Sequence, residues 1–381
     1  MNIDNNRILD TPVIKKIGDD ILLSEYETGK IKFANIAIDR SRKSITETYV
    51  ELIEYLLENK LTIANQFLFG TEEHELENRK NAEKYFKKLN WPVTFIRQES
   101  YNGSYVWGSI ISAISADNLK PVIEKESVIG NFFEDEFAGY FFFGGLMPGT
   151  PGQSNIIQSK QSFKMLDLTL HKVGMDIGNV ARTWFYLVDL LNWYDDFNSV
   201  RNDYFTVKGV YERMIPASTG IGAGNLRGGS LMFGGYALKE KQNSIKTEAV
   251  ESPFQCPASD YKSSFSRAVE INHPDYRHLI VSGTASITPE GETANIGSIY
   301  KQVELSMKVV KAILQSRHMS WENVSRGIIY FKNINDINSF ENFCSDNNIP
   351  ELPLSMIKAD ICRNDLLFEI EVDAITIYKH N

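Results

Sequence analysis

Two stretches decide the fold: NVARTWFYL at 179–187 and NVSRGIIYF at 323–331. Both begin Asn-Val-x-Arg and run on as short, mainly apolar segments that read as buried strands. Their surroundings repeat as well. Upstream, YFFFGGLMPGTPG (140–152) and HLIVSGTASITPEG (278–291) each read as an apolar strand ending in glycine, with Gly145 matching Gly283. Each leads into an amphipathic segment. Phe163, Leu166, Leu170 and Val173 share one helical face, and Val303, Met307, Val310 and Leu314 share another. Downstream, NWYDDFNSVRNDYF (192–205) and NDINSFENFCSDN (335–347) read as second helices. Proline loops follow, IPAS at 215–218 and LPLS at 352–355, and then two more strands. The unit is β-α-β-α-β-β, over 141–238 and again over 279–377.

A fainter copy precedes these two. It comprises KFANIAI (32–38), a helix from Ser44, ANQFLFG (64–70), a helix ENRKNAEKYFKKL (77–89), the proline loop WPVT (91–94) and YVWGSIISAI (105–114). Ser44 and Glu47 have the spacing of a capping box. Such repeats predict an α+β fold. Three units in tandem would close into a pseudo-threefold barrel with helices outside, as a homotrimer closes by point symmetry. Ligand clefts would then lie between units. The expected domains are 1–125, 126–250 and 251–381, with the polar stretch Lys239–Pro257 as a linker. The chain is expected to act as a monomeric pseudo-trimer or to assemble further.

Composition narrows the function. The 381 residues carry 40 Lys and Arg against 49 Asp and Glu, a net charge of −9. A nucleic-acid partner is therefore not expected, because displacing counterions from phosphates needs a basic face. No apolar run approaches the ~18 residues that a membrane helix requires. The N-terminal MNIDNNRILD lacks the basic flank and apolar stretch of a secretory signal. Three widely spaced cysteines, Cys256, Cys344 and Cys362, read as reduced thiols of a cytoplasmic protein. No C-x-x-C or H-x-x-x-H pattern occurs, so neither a metal nor a cofactor is expected.

The final strand, LLFEIEVDAI (366–375), carries the chemistry. Leu366, Phe368, Ile370 and Val372 alternate with Leu367, Glu369, Glu371 and Asp373, so one face is apolar and the other bears three carboxylates. The proline spacing sets Gly108 and Gly234 where the last unit has Glu369, so only one unit bears the acid. In a cleft between units Glu369 would be desolvated and could serve as a general acid. The alternative is a solvated edge strand. Tyr194 and Arg201 lie seven residues apart, two helical turns and about 10 Å along one face. Tyr261 and Arg267 form a second such pair. An arginine with a tyrosine hydroxyl suits a carboxylate, and two pairs suit a small-molecule dicarboxylate. Cys362, just before Arg363, could line the same pocket, whereas Cys344 reads as helix packing.

These residues resemble the Rid (YjgF-like) superfamily, and more specifically the chorismatases, larger chains built on that fold. The resemblance rests on RTWFYL (182–187), YDDFNSVR (194–201), PASTGIG (216–222), SPFQCPASDYKSSFSRA (252–268), SGTASI (282–287) and ADICRNDLLFEIE (359–371), in that order. It implies an enzyme that removes pyruvate from chorismate, giving a dihydrodiol acid or 3-hydroxybenzoate. It implies Glu369 as the acid that protonates the enolpyruvyl methylene. It implies Tyr194 with Arg201, and Tyr261 with Arg267, as substrate holders. Ala285 and Cys362 fall where the family lines the pocket near the ring. Two departures stand out. The run between Tyr261 and Arg267 is shorter than the family's, and TPEGETANIG (288–297) replaces a Val-Gly-His-like stretch. The small Rid imine deaminases hold their substrate with an arginine just after the loop proline. Here that loop reads Pro353-Leu354-Ser355, which disfavours that activity.

Overall fold

A computed structural model describes residues 8–99, 107–148, 152–261 and 263–379, except the side chains of Ile8 and Tyr261. Three sheets follow one plan. The first contains β2 (Val13–Ile17), β3 (Ile21–Thr28), β4 (Ile31–Ser41), β5 (Thr62–Gly70), β6 (Val93–Arg97) and β7 (Trp107–Ile114). The second contains β8 (Lys120–Glu124), β9 (Ser127–Glu134), β10 (Ala138–Leu146), β11 (Val180–Leu187), β12 (Ala217–Gly222) and β13 (Leu231–Glu240). The third contains β14 (Lys246–Val250), β15 (Ala268–Asn272), β16 (Tyr276–Ala285), β17 (Val324–Phe331), β18 (Leu354–Lys358) and β19 (Phe368–Lys379). In each sheet the sixth strand lies between the third and fourth, and the fourth and fifth pair in parallel. A short β1 (Ile8–Asp10) pairs with the far end of β19.

The N-terminal segment is therefore a full third copy. The unit is larger than the sequence pattern indicates, because two strands precede the first strand that the pattern showed. In the third unit, β14 occupies part of the stretch expected to be a linker, pairing with β15. Its KTEAV is mostly half-exposed, with only Val250 buried, so its composition reads as polar loop. The first strand of the opening unit, VIKKI, is likewise mostly exposed at a sheet edge.

Two helices back each sheet: α1 (Ile45–Glu58) and α2 (Glu72–Phe86), α3 (Asn155–His171) and α4 (Tyr194–Val207), α5 (Ile299–Ser316) and α6 (Ile337–Asp346). The capping box at α1 is formed: Ser44 Oγ accepts the Glu47 N–H and Glu47 accepts the Ser44 N–H. In α5 the four expected core residues are all buried. In α3 Phe163, Leu166 and Leu170 are buried, whereas Val173 lies past the helix end. The opposite sheet faces meet one another, and a shared cluster there includes Phe67, Trp184, Met232, Ile328, Tyr330 and Ile357, drawn from all three sheets. This gives the expected arrangement of sheets inside and helices outside.

The fourth strands carry an irregularity at one equivalent place: Ile63/Asn65, Val180/Arg182 and Val324/Arg326. Counting from it fixes the register between units. Glu369 pairs with Tyr330, Met232 with Tyr186 and Gly108 with Phe69. The residue of the second unit that matches Glu369 is thus Met232, not Gly234. Gly108, Met232 and Glu369 each lie 16 residues after their loop prolines, Pro92, Pro216 and Pro353.

Candidate active site

The second and third sheets are stitched together along one seam. Ala217 bridges to Ser266, the Ser266 N–H donates to the Pro216 carbonyl at 3.0 Å, and the Ser218 N–H donates to Ser282 Oγ at 2.9 Å. Beside that seam lies a narrow cleft lined by both units. It brings together Tyr194, Arg201, Arg267, Ala285, Cys362 and Glu369, which are all the expected site residues whose side chains are described. For Tyr261 only the backbone is described, in the turn Ala258–Tyr261; its side chain lies outside the described residues.

The central unit supplies Tyr194 and Arg201, from the first and third turns of α4. Arg201 is 1% exposed. It lies over the Phe197 ring at 5.5 Å and donates to Asn198 Oδ1 at 2.6 Å, so its guanidinium is held from within its own helix. The third unit supplies Arg267, whose Nε and Nη2 both donate to the Cys256 carbonyl, at 3.0 and 2.8 Å. Phe265 stacks beneath it at 5.4 Å.

Glu369 lies at the back, 5% exposed, with Ala285 opposite it in β16. β19 is an inner strand, so its carboxylate face is not a solvated edge. Burial first, and then the neighbouring Glu371 charge, push the Glu369 carboxyl up to about 8, against the pull of Arg182 and Arg267. At neutral pH it carries its proton. The other two acids of the face behave differently. Glu371 is ion-paired to Arg182 at 2.5 Å and to Arg326 at 3.2 Å. Asp373 meets Arg326 and His278, each at 3.3 Å, and opposite charge holds it well below the usual carboxylate range despite its burial. One strand thus presents a carboxyl raised by burial beside two carboxylates paired to arginines. Burial, then the Glu369 charge, push the Cys362 thiol up to about 12, so it lines the cleft as a thiol rather than a nucleophilic thiolate. Cys344 packs against the core of the third unit, away from the cleft.

The residues that sequence reasoning did not single out here are small or apolar: Ser218, Gly220, Ser263, Phe265, Gly283 and Ile287. Two of the glycines have steric reasons. A methyl at Gly220 would press on the Tyr194 hydroxyl at 3.1 Å, and one at Gly283 would collide with Glu369 Oε1. For Gly220 the only signal was the motif TGIG that contains it, and for Gly283 the motif SGTA and its match to Gly145 in the repeat. We expect Gly283→Ala to displace the acid and cost about 100-fold or more in kcat while the protein stays folded, as read by activity beside a melting curve. Among the described residues no group of three or more His, Cys, Asp or Glu is placed to hold a metal. No described helix is long and apolar enough to cross a membrane.

Residues 257–376 match the family described as Endoribonuclease L-PSP. The chain is 27% identical to a 3-hydroxybenzoate synthase of Streptomyces hygroscopicus over 259 residues, spanning 61% of this chain and 73% of that one. It is 28% identical to a chorismatase of Streptomyces rapamycinicus over 213 residues, spanning 51% of this chain and 63% of that one. A crystal structure of a chorismatase superposes with a TM-score of 0.62 at 18% identity, covering 82% of this chain and 93% of the other. In sequence the chain is similar to a 3-hydroxybenzoate synthase and to chorismatases, it shares the chorismatase fold, and its C-terminal third matches the L-PSP family directly.

Proposed function

We propose that this protein is an enzyme releasing pyruvate from chorismate, or from a similar enolpyruvyl dicarboxylate, with Glu369 as the acid. The observation that carries the reading is the convergence of one protonated buried carboxyl and two buried arginines, from two units, on one cleft. The similarity to a 3-hydroxybenzoate synthase and to chorismatases supplies the substrate class.

The chemistry follows from the positions. Arg201 with Tyr194, and Arg267, hold the two carboxylates and set the enolpyruvyl group over Glu369. Glu369 gives its proton to the methylene carbon, which becomes a methyl group. The ether carbon is left as an oxocarbenium ion. Water adds to it and returns a proton to the Glu369 carboxylate. The resulting hemiketal passes its hydroxyl proton to the ring oxygen and breaks the carbon–oxygen bond, releasing pyruvate and a ring alcohol. Imine deamination has no support at the loop, since Leu354, after Pro353, is a buried core residue of β18.

Pyruvate release is measured with a coupled lactate dehydrogenase. No release from chorismate by the wild-type protein would overturn the reading. The acid role also sets a pH dependence. Because Glu369 acts when protonated and its carboxyl is raised to about 8, kcat/KM stays level from pH 6 to 7 and falls about tenfold per unit above pH 8. Activity that rises with pH across that window would assign Glu369 a base role instead.

A further inference from the structure

We propose that Glu371 is a positioning residue for the reaction at Glu369: five donors from two units hold its carboxylate in place two residues along the same strand face. This rests on Glu369 being the reacting acid. The donors are Arg182 Nη2 at 2.5 Å, Thr219 Oγ1 at 2.5 Å, Trp184 Nε1 at 2.7 Å, Arg326 Nη2 at 3.2 Å and the Tyr330 hydroxyl at 3.3 Å. Three belong to the central unit and two to the third. Glu371 is 1% exposed, with three of these donors on Oε2 and two on Oε1.

The geometry links it to the acid in two ways. Along β19 side chains two residues apart share a face, with Cα atoms roughly 7 Å apart. The Glu371 charge therefore opposes ionisation of Glu369 through protein rather than through water. Thr219 provides the second link. Its hydroxyl donates to Glu371 and accepts the Gly283 N–H at 3.1 Å, and Gly283 is the residue against which the Glu369 carboxyl rests. The groups facing Glu369 are few. On its own strand there is Glu371; Arg182 reaches in from β11, Arg267 from the segment before β15 and Cys362 from the loop before β19. Tyr194 and Arg201 face it across the cleft from α4. Arg326 and Asp373 pair with each other behind Glu371. The two arginines pull the proton off Glu369, and Glu371 is the charge that opposes them.

Two substitutions outside the reacting group move the balance in opposite directions. Glu371→Gln removes the anion and leaves the arginines unopposed, so the alkaline limb of kcat/KM moves down by about one unit or more. Arg182→Gln removes a cation and moves that limb up. A residue that only supports the fold would lower activity in both variants without shifting the limb in opposite senses. Either variant decides the matter if the other fails to fold: a limb that stays put, or moves the wrong way, overturns the inference. Carboxyl NMR titration of Glu369 in protein labelled at glutamate reads the same shifts without turnover. Absence of pyruvate release by the wild type would therefore count against the proposed function, and absence of a shift would count against Glu371.

Discussion

Glu369→Gln is expected to abolish pyruvate release, with a loss of about 10³–10⁴-fold in kcat, while leaving substrate binding in place. The amide keeps the size of the carboxyl and cannot protonate carbon. Arg201 and Arg267 are untouched, so chorismate should still raise the melting temperature of the variant by mass action. Loss of both activity and ligand stabilisation would place Glu369 in binding rather than in proton transfer. The same variant carries a stability signature. A carboxyl raised to about 8 in the folded state, against 4.5 ordinarily, binds more protons folded than unfolded between those values. Wild-type stability therefore falls as pH rises from about 4.5 to 8, by up to a few kcal/mol in all. Gln does not titrate. The melting temperature of Glu369→Gln should gain on that of the wild type from pH 5 to pH 9, and a constant difference would mean that Glu369 ionises normally.

Arg201→Gln carries the second large effect, of a different kind. Its guanidinium is buried and preset by Asn198 and Phe197, so a substrate carboxylate gains a charge-assisted bond at little ordering cost. Losing one member of a buried ion pair typically removes about 2–4 kcal/mol, which is roughly 30- to 1000-fold in affinity. The loss should fall mainly on KM, because the carboxylate is held equally before and during proton transfer. Arg201→Lys should recover only part of it, since an ammonium cannot match the planar fork. A variant that loses kcat at unchanged KM would move Arg201 from holding substrate to the proton-transfer step.

Much of this was legible in the sequence because repeats report on themselves. The Asn-Val-x-Arg strands, the loop prolines and the α3 and α5 stripes gave the plan of the units. The outer hairpins were not legible, since strands such as VIKKI and KTEAV lie at sheet edges and are mostly exposed or half-buried. Register in the second unit was misread by two residues. LMFGGYAL offers no charge to mark its inward face, and the irregularity that fixes the count lies on the neighbouring strand. At the cleft, charged and aromatic residues announced themselves. The small residues that make room for them did not, because Gly283 and Gly220 act by lacking a side chain.

The register of the three sixth strands bears on what a single chain permits. A ring of three identical chains must keep every seam alike, since one change appears three times. Fusion into one chain removes that coupling, and the seams can drift. At Gly108 the first unit has no room for a side chain: a Cβ there would lie 2.7 Å from Ser355 Oγ and 2.9 Å from the Ile38 carbonyl. At Met232 the position is filled by a side chain of the shared core. Placing an acid at either position would require the neighbouring backbone or core to retreat first, so no single substitution would give the other two seams an acid like Glu369.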